Sequence, residues 1–279
     1  MNLAGIEIDS TSRIVLIAGP CVIETEAISL KTAECLKRVS QSLQVPVIFK
    51  SSFRKGNRTS LGSYSGPGIE AGLRTLERVR DEFGLPVLTD VHEDSPLDEV
   101  AAVVDVLQTP ALLCRQTSFI LSVAAMQKPV NLKKGQFLSP EEMLAVVEKA
   151  RTTGNRNLMI CERGTSFGYN DLVADMRGLI TMRAANCPII FDASHSVQRP
   201  GLSGVRSGGD RVYTPALARA AVAVGVAGVF LETHPDPSSA LCDSDNAWPL
   251  AKVEALLEQL VSIDDMAKRM PFADPVIDR

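Results

Sequence analysis

Four residues of unlike chemistry stand out in this chain: Cys21, His195, Glu232 and Asp243. A soft thiol, an imidazole and two carboxylates make a mixed donor set suited to a borderline divalent metal such as Mn2+, Fe2+, Co2+ or Zn2+. Spacing alone does not decide the matter, because no local metal motif such as HExxH occurs. Cys21 as a small buried hydrophobe and His195 as a hydrogen-bonded histidine are the competing readings. A second group is cationic: Lys50, Lys55, Arg58, Arg115, Lys133 and Arg163. Cations converging in a chain of net charge -4 imply anionic ligands, and the arginine fork bonds two oxygens of a phosphate or carboxylate. Any one of these cations, taken singly, also reads as a solvated surface charge. That reading is weakest for Lys50 and Lys133, which lie inside the apolar runs "PVIFKSS" and "PVNLKKG".

A recurring strand-then-helix pattern would have to bring these residues together. Short runs rich in Val, Ile, Leu and Phe occupy 13–19, 46–52, 86–92, 105–111, 129–135, 157–164, 188–195 and 228–234. Such near-continuous apolar runs read as strands buried on both faces. Amphipathic segments lie between them, including 26–43, 68–84, 139–154 and 214–227. Ser139-Pro140-Glu141-Glu142 reads as a helix start, and Gly84 and Gly154 as helix ends. Eight alternations in 279 residues predict a single (β/α)8 TIM barrel over residues 1–279, of α/β class. Residues 1–12 form an N-terminal extension that can cap the barrel bottom. A doubly wound sheet is the alternative. Polar residues gather at the C-terminal end of nearly every predicted strand: Cys21, Lys50 to Ser52, Asp90 with His92, Gln108, Lys133 with Lys134, Glu162 with Arg163, Asp192 with His195, and Glu232 with His234. Active sites of that fold sit at that rim. Two polar loops, 54–68 and 197–213, are long enough to be functional.

Composition narrows the field further. With no basic block, the chain has no electrostatic footprint for nucleic acid. No apolar run reaches the roughly 18 residues of a membrane span, and "MNLAGIEIDS" lacks the basic and apolar regions of a signal peptide. A cytoplasmic enzyme is the expectation. The six cysteines include no CxxC pair, so most read as small buried hydrophobes in a reducing compartment.

Ten blocks then carry a resemblance over nearly the whole chain: "IAGPCVIE", "FKSSF", "GNRTS", "TDVHE", "LQTPALLCRQT", "VNLKKGQF", "ERGTSFGYNDLVADMR", "IIFDASHSVQRPG", "SGG" and "ETHPDPSSALCDSD". In order, they resemble the 3-deoxy-D-manno-octulosonate-8-phosphate synthases. The resemblance implies a TIM-barrel transferase, usually a homotetramer, that condenses phosphoenolpyruvate with D-arabinose 5-phosphate and releases phosphate. Its product feeds Kdo synthesis for lipopolysaccharide. The related heptulosonate synthases use erythrose 4-phosphate and usually read KPRTS where octulosonate synthases read KANRSS. Here Lys55-Gly56-Asn57-Arg58-Thr59-Ser60 keeps Asn57 and Arg58 and departs at Gly56 and Thr59. Ser118 is a further departure, at a position where the family often has Asp. The family has a metal-dependent class with Cys at the position of Cys21 and a metal-free class with Asn there. Cys21 and "KKGQ" resemble the metal class, whereas "CDS" at 242–244 partly resembles the Cys-Asp-Gly of the other.

The resemblance implies roles for individual residues. Cys21, His195, Glu232 and Asp243 would hold the metal. Lys133, Arg163 and Ser52 would hold the phosphoenolpyruvate phosphate, and Lys50, Lys55 and Gln108 its carboxylate. Asn57, Arg58 and Thr59 would grip the sugar, Arg58 at its phosphate. Arg115 would reach a phosphate across a subunit interface, and Gln198 would close over the sugar with its loop. His195 and Asp243 are the candidates for proton transfer and complete a catalytic set with Lys50 and Lys133. Three rivals differ in substrate or class: the heptulosonate synthase, a sialic-acid-synthase relative using an N-acyl mannosamine, and a non-catalytic phosphosugar-binding barrel. The intact cation set argues against the last.

Overall fold

In the computed structural model, residues 1–57, 60, 62–200 and 208–271 are described. Eight parallel strands alternate with eight helices. The strands are β1 (Val15–Gly19), β2 (Val47–Lys50), β3 (Val87–Asp90), β4 (Val106–Thr109), β5 (Val130–Lys133), β6 (Leu158–Glu162), β7 (Ile189–Asp192) and β8 (Gly228–His234). The helices are α1 (Glu26–Leu43), α2 (Ile69–Phe83), α3 (Leu97–Val103), α4 (Thr117–Ala125), α5 (Glu142–Arg151), α6 (Met176–Arg183), α7 (Thr214–Val224) and α8 (Val253–Arg269). Each strand pairs with its successor, and β8 returns to β1 with Gly228 opposite Val15 and Glu232 opposite Gly19. That last pairing closes the sheet into a TIM barrel and excludes the doubly wound alternative, whose sheet has two free edges.

Side-chain alternation sorts the strands into two cores. Along β1, Val15 and Ile17 point into the barrel, where they meet Ile48, Leu88, Val106, Met159, Ile190 and Phe230. Leu16 and Ala18 point outward and pack under the helices with Ala33, Leu36 and Val39 of α1. Both faces are therefore apolar, which is why the strands read as continuous runs. Helix ends follow the sequence signals. The Thr25 hydroxyl caps α1 by accepting from the Ile28 N–H at 3.2 Å. Ser139 and Glu142 exchange side-chain-to-backbone bonds at the start of α5, a capping box. Gly84 ends α2 in the left-handed region at φ 59°.

Residues 2–3 and 6–7 form a short antiparallel hairpin, and its Leu3, with the following Ile8, packs into the barrel-interior core. The bottom is thus plugged by apolar side chains, leaving the opposite rim to polar ones. A second hairpin, Thr165–Phe167 with Asp171–Val173, follows β6 on the polar rim and has no counterpart among the elements read from the sequence. No helix among the described residues is long and apolar enough to cross a membrane. Ile8 is fully buried, so Ile8→Ala is expected to leave a cavity and lower stability by about 2–5 kcal/mol, read as a lower midpoint in urea unfolding.

Candidate active site

Charge and counter-charge meet at the C-terminal ends of the strands. Lys50, 1% exposed at the end of β2, donates to the Cys21 carbonyl at 2.9 Å and to Glu232 Oε1 at 3.0 Å. Its Nζ also lies 3.8 Å from Asp90 Oδ2. Lys55 approaches that same Asp90 oxygen at 3.3 Å. Ser52 and Gln108 donate to the two Asp90 oxygens, and Asn131 fixes the Gln108 carboxamide at 2.7 Å. Burial opposes the Asp90 charge, but Lys55 and Lys50, with the Ser52 and Gln108 hydrogen bonds, hold its carboxyl well below the usual carboxylate range.

Lys133, at the end of β5, pairs with Asp192 and lies 3.6 Å from the centre of the Phe230 ring. Burial works against its charge, and Asp192 outweighs burial to raise its pKa. Arg163 is buried just past β6 and donates through Nη2 to Gln198 Oε1 at 2.6 Å. Its Nη1 is buried without a hydrogen-bond partner among the described residues. Burial lowers its pKa. An unmatched guanidinium donor lining the cleft fits an anion.

The mixed donor set gathers on the other side of the same cleft. Cys21 Sγ lies 3.1 Å from Asp243 Oδ2. Asp243 Oδ2 lies 3.6 Å from His195 Nε2, which lies 3.5 Å from Glu232 Oε2. The other ring nitrogen, His195 Nδ1, is held by Asp192 Oδ2 at 2.7 Å. That bond orients the imidazole and leaves Nε2 facing the two carboxylates. Burial works against charging His195, but Asp192 and Glu232 outweigh it and raise its pKa well above the usual value. The same carboxylates would also attract a metal cation, which would compete with the proton for Nε2. Among the described residues, the buried Glu232 Oε2 accepts no hydrogen bond and has the His195 ring as a nearby cationic group, so it retains lone pairs for a metal. The donors present fit a divalent cation. Asp243 adopts φ 49°, unusual for a residue with a side chain. Its carbonyl accepts the Asn246 and Ala247 N–H groups at 2.9 Å, which holds that turn.

Local backbone constraints place these groups. A Cβ on Gly19 would lie 2.0 Å from the Lys50 carbonyl oxygen, so only glycine lets β1 approach β2 this closely before the chain turns at Pro20 into Cys21. The rim carboxylates emerge where parallel strands end in register: Asp90 stands opposite Gln108, and Phe191 opposite Glu162.

Several expected residues lie elsewhere or behind the cleft wall. Ser52 is buried and turned to Asp90. Asn57 lines the outer cleft and is exposed. Gln198 bridges Arg163 to Asp243, donating to Asp243 Oδ1 at 3.2 Å. Arg115 does not enter this cleft; its side chain is 64% exposed and lies 3.6 Å from Glu142. Arg58, Thr59 and residues 201–207 of the second loop lie outside the described residues. Conversely, the site contains members not picked from the sequence as site residues: Asp90, Asp192, Asn131 and Cys242. Asp90 and Asp192 carried the same strand-end position that marked Lys50 and Lys133. Lys134 is fully buried between the loops after β5 and β6, donating to Leu138 O at 3.1 Å and Thr165 Oγ1 at 3.0 Å, with Glu162 Oε1 at 3.5 Å.

Asp90 supplies the clearest test of this charge network. Its depressed pKa stabilises the fold at neutral pH, and that contribution is lost as pH falls below the ordinary carboxylate range. Asp90→Asn is expected to lose about 3–5 kcal/mol at pH 7 by leaving buried lysines short of a partner. In denaturant titrations run at successive pH values, the gap to the parent narrows in acid.

Comparisons with known proteins extend over the whole barrel. The family described as the DAHP synthetase I family matches residues 2–269. A protein of Nitrosococcus oceani named 2-dehydro-3-deoxyphosphooctonate aldolase is 60% identical over 274 residues, which cover 98% of each chain. Proteins of the same name from Methylococcus capsulatus and Legionella pneumophila (strain Lens) are 60% and 59% identical, over 97% and 96% of this chain and 96% and 98% of theirs. On a match that runs through every strand and helix of the barrel, the chain belongs to the DAHP synthetase I family.

Proposed function

We propose that this chain is a synthase that condenses phosphoenolpyruvate with D-arabinose 5-phosphate and water, giving 3-deoxy-D-manno-octulosonate 8-phosphate and phosphate for the Kdo of lipopolysaccharide. The observation that carries this reading is the convergence of Lys50, Lys55, Lys133 and Arg163 on one cleft. The phosphooctonate aldolase name of relatives near 60% identity supports the eight-carbon product.

Two polyanions must meet face to face, and the cations remove their repulsion. Arg163, with its unmatched Nη1, and Lys133 hold the phosphoenolpyruvate phosphate. Lys50 and Lys55 hold its carboxylate, and Gln108, fixed by Asn131 and Asp90, packs alongside. Ser52 acts through Asp90. Asn57, which lines the outer cleft, grips the sugar together with Arg58 and Thr59, Arg58 taking its phosphate, and Gln198 closes over the sugar with its loop. Holding C3 of the enol against the aldehyde carbon replaces an encounter of two free molecules, worth up to about 7–11 kcal/mol. As the C–C bond forms, the aldehyde oxygen gains negative charge and takes a proton; His195 and Asp243, 3.6 Å apart, are the proton carriers. Water then adds at C2 and phosphate leaves by C–O cleavage. Excluding bulk water keeps these steps in order.

The metal-dependent class is part of this proposal. Cys21, His195, Glu232 and Asp243 would hold a divalent cation, Mn2+, Fe2+, Co2+ or Zn2+, which would supply Lewis acidity to orient the aldehyde or to activate the water. In this reading the chain acts as a homotetramer, and Arg115, whose side chain is 64% exposed, would reach a phosphate in a neighbouring copy.

Phosphate release from phosphoenolpyruvate tests the activity. Arabinose 5-phosphate is expected to support it and erythrose 4-phosphate not; equal turnover of the shorter sugar would make the chain a heptulosonate synthase. Arg58→Ala is expected to raise the KM for the sugar phosphate, which a relative using an unphosphorylated sugar would not show. Chelator treatment is expected to abolish turnover and one of the four metals to restore it; unchanged turnover would refute the metal class. Lys133→Met is expected to lower kcat/KM by roughly 10²–10³-fold in the same assay.

A further inference from the structure

Cys242 reads from the sequence as a small buried hydrophobe, and it is buried, at 5% exposure. Its surroundings are not those of a packing residue alone. Its Sγ lies 3.0 Å from Cys21 Sγ and 3.6 Å from Asp243 Oδ2. At 3.0 Å the sulfurs are well beyond a covalent S–S bond of about 2.05 Å, so both remain thiols. Cys21, Cys242 and Asp243 thus form one triad whose donor atoms could share a cation, and His195, Glu232 and Asp243 form another. Asp243 is the common corner.

Resting on the metal reading above, we infer that Cys242 is a second sulfur ligand of the metal centre, making it a two-thiolate site for a thiophilic divalent cation such as zinc. The separations suit that role. Cys242 is then a fifth protein donor, and neighbouring sulfur and oxygen ligands of a five-coordinate zinc stand roughly 3.1–3.8 Å apart, from bonds of about 2.3 and 2.0–2.2 Å. The Cys242–Asp243 separation of 3.6 Å already matches. Cys21, at 3.0 Å from Cys242 and 3.1 Å from Asp243, needs a side-chain opening of less than ~1 Å.

The backbone holds Cys242 there. The Leu241 N–H donates to Glu24 Oε1 at 2.8 Å, tying the loop after β8 to the segment after β1. The Asp243 turn fixes the next residue. Two thiolates bias the centre toward zinc over manganese, because soft ligands bind soft cations more tightly. The chain thereby reconciles its Cys21 with its Cys242-Asp243 pair, since both sulfurs serve one ion.

The test uses the full-length protein, reduced, stripped with chelator and titrated with Co2+, reading the near-ultraviolet thiolate-to-cobalt band per bound ion. Cys242→Ser is expected to bind one Co2+ with about half the parent band, one thiolate of two remaining. Cys21→Ser is expected to lose a similar half, and the double variant all of it. Zinc affinity is expected to fall in Cys242→Ser while manganese affinity holds. A full-strength band in Cys242→Ser, with complete loss in Cys21→Ser, would overturn the inference and leave a one-thiolate metal centre intact. No thiolate band in the parent would overturn both this inference and the metal reading. Circular dichroism and a parallel Cys242→Ala variant separate ligand loss from misfolding: a Cys242→Ala band of parent strength overturns the assignment, and a halved one upholds it.

Discussion

Lys50 and Lys133 lie where water cannot solvate them, with Lys55 and Arg163 close by, and their placement is possible only because carboxylates are buried beside them. Moving an ammonium group out of water costs several kcal/mol, and only a close opposite charge with satisfied hydrogen bonds offsets it. Here each of the three cleft lysines has that partner. Asp90 serves Lys50 and Lys55, Glu232 serves Lys50, and Asp192 serves Lys133. The acids are held in turn by neutral donors, Ser52 and Gln108 on Asp90 and backbone N–H groups of Ser194 and His195 on Asp192. The charges are therefore organised before any ligand arrives. That is the property a site for two polyanions needs, because little reorganisation remains to be done on binding.

Two carboxylates join the cationic half of the cleft to the donor half. Asp192 faces Lys133 with the same oxygen that holds His195 Nδ1. Glu232 bonds Lys50 through Oε1 and faces His195 through Oε2. Changing charge in one half must be felt in the other, since the shared carboxylates sit in a low-dielectric interior where Coulomb terms are weakly screened. Gln198 adds a neutral strut from Arg163 to Asp243. In the proposed reaction this coupling places the phosphate-holding cations and the proton-carrying groups in one framework.

The rim was legible in the sequence because a barrel strand is polar only where it leaves the core. Lys50, Lys133, Glu232 and His195 were each marked by a polar residue at the end of an apolar run. The same rule reached Asp90 and Asp192, but not what they do, because a carboxylate's role depends on which cation faces it across the barrel. Cys242 read as a small buried cysteine, and it is buried; that its Sγ meets that of Cys21 was not legible, since the two are 221 residues apart in the chain. Arg115 was grouped with the cleft cations by charge, yet its side chain turns outward toward Glu142. Charge is a property of composition, whereas convergence is a property of strand register.

By itself the sequence determined the eight-fold strand–helix alternation, the helix caps and the polar rim. These follow from local periodicity, local hydrogen bonding and side-chain type, all of which act over a few residues. The family rests on resemblance to known sequences, not on those patterns. Tertiary structure alone decided that β8 pairs back to β1 and closes the sheet, that Asp192 is shared by Lys133 and His195, and that Cys242 meets Cys21. Those outcomes depend on contacts between residues far apart in the chain, set by strand register and the packing of both barrel layers, and no local pattern encodes them.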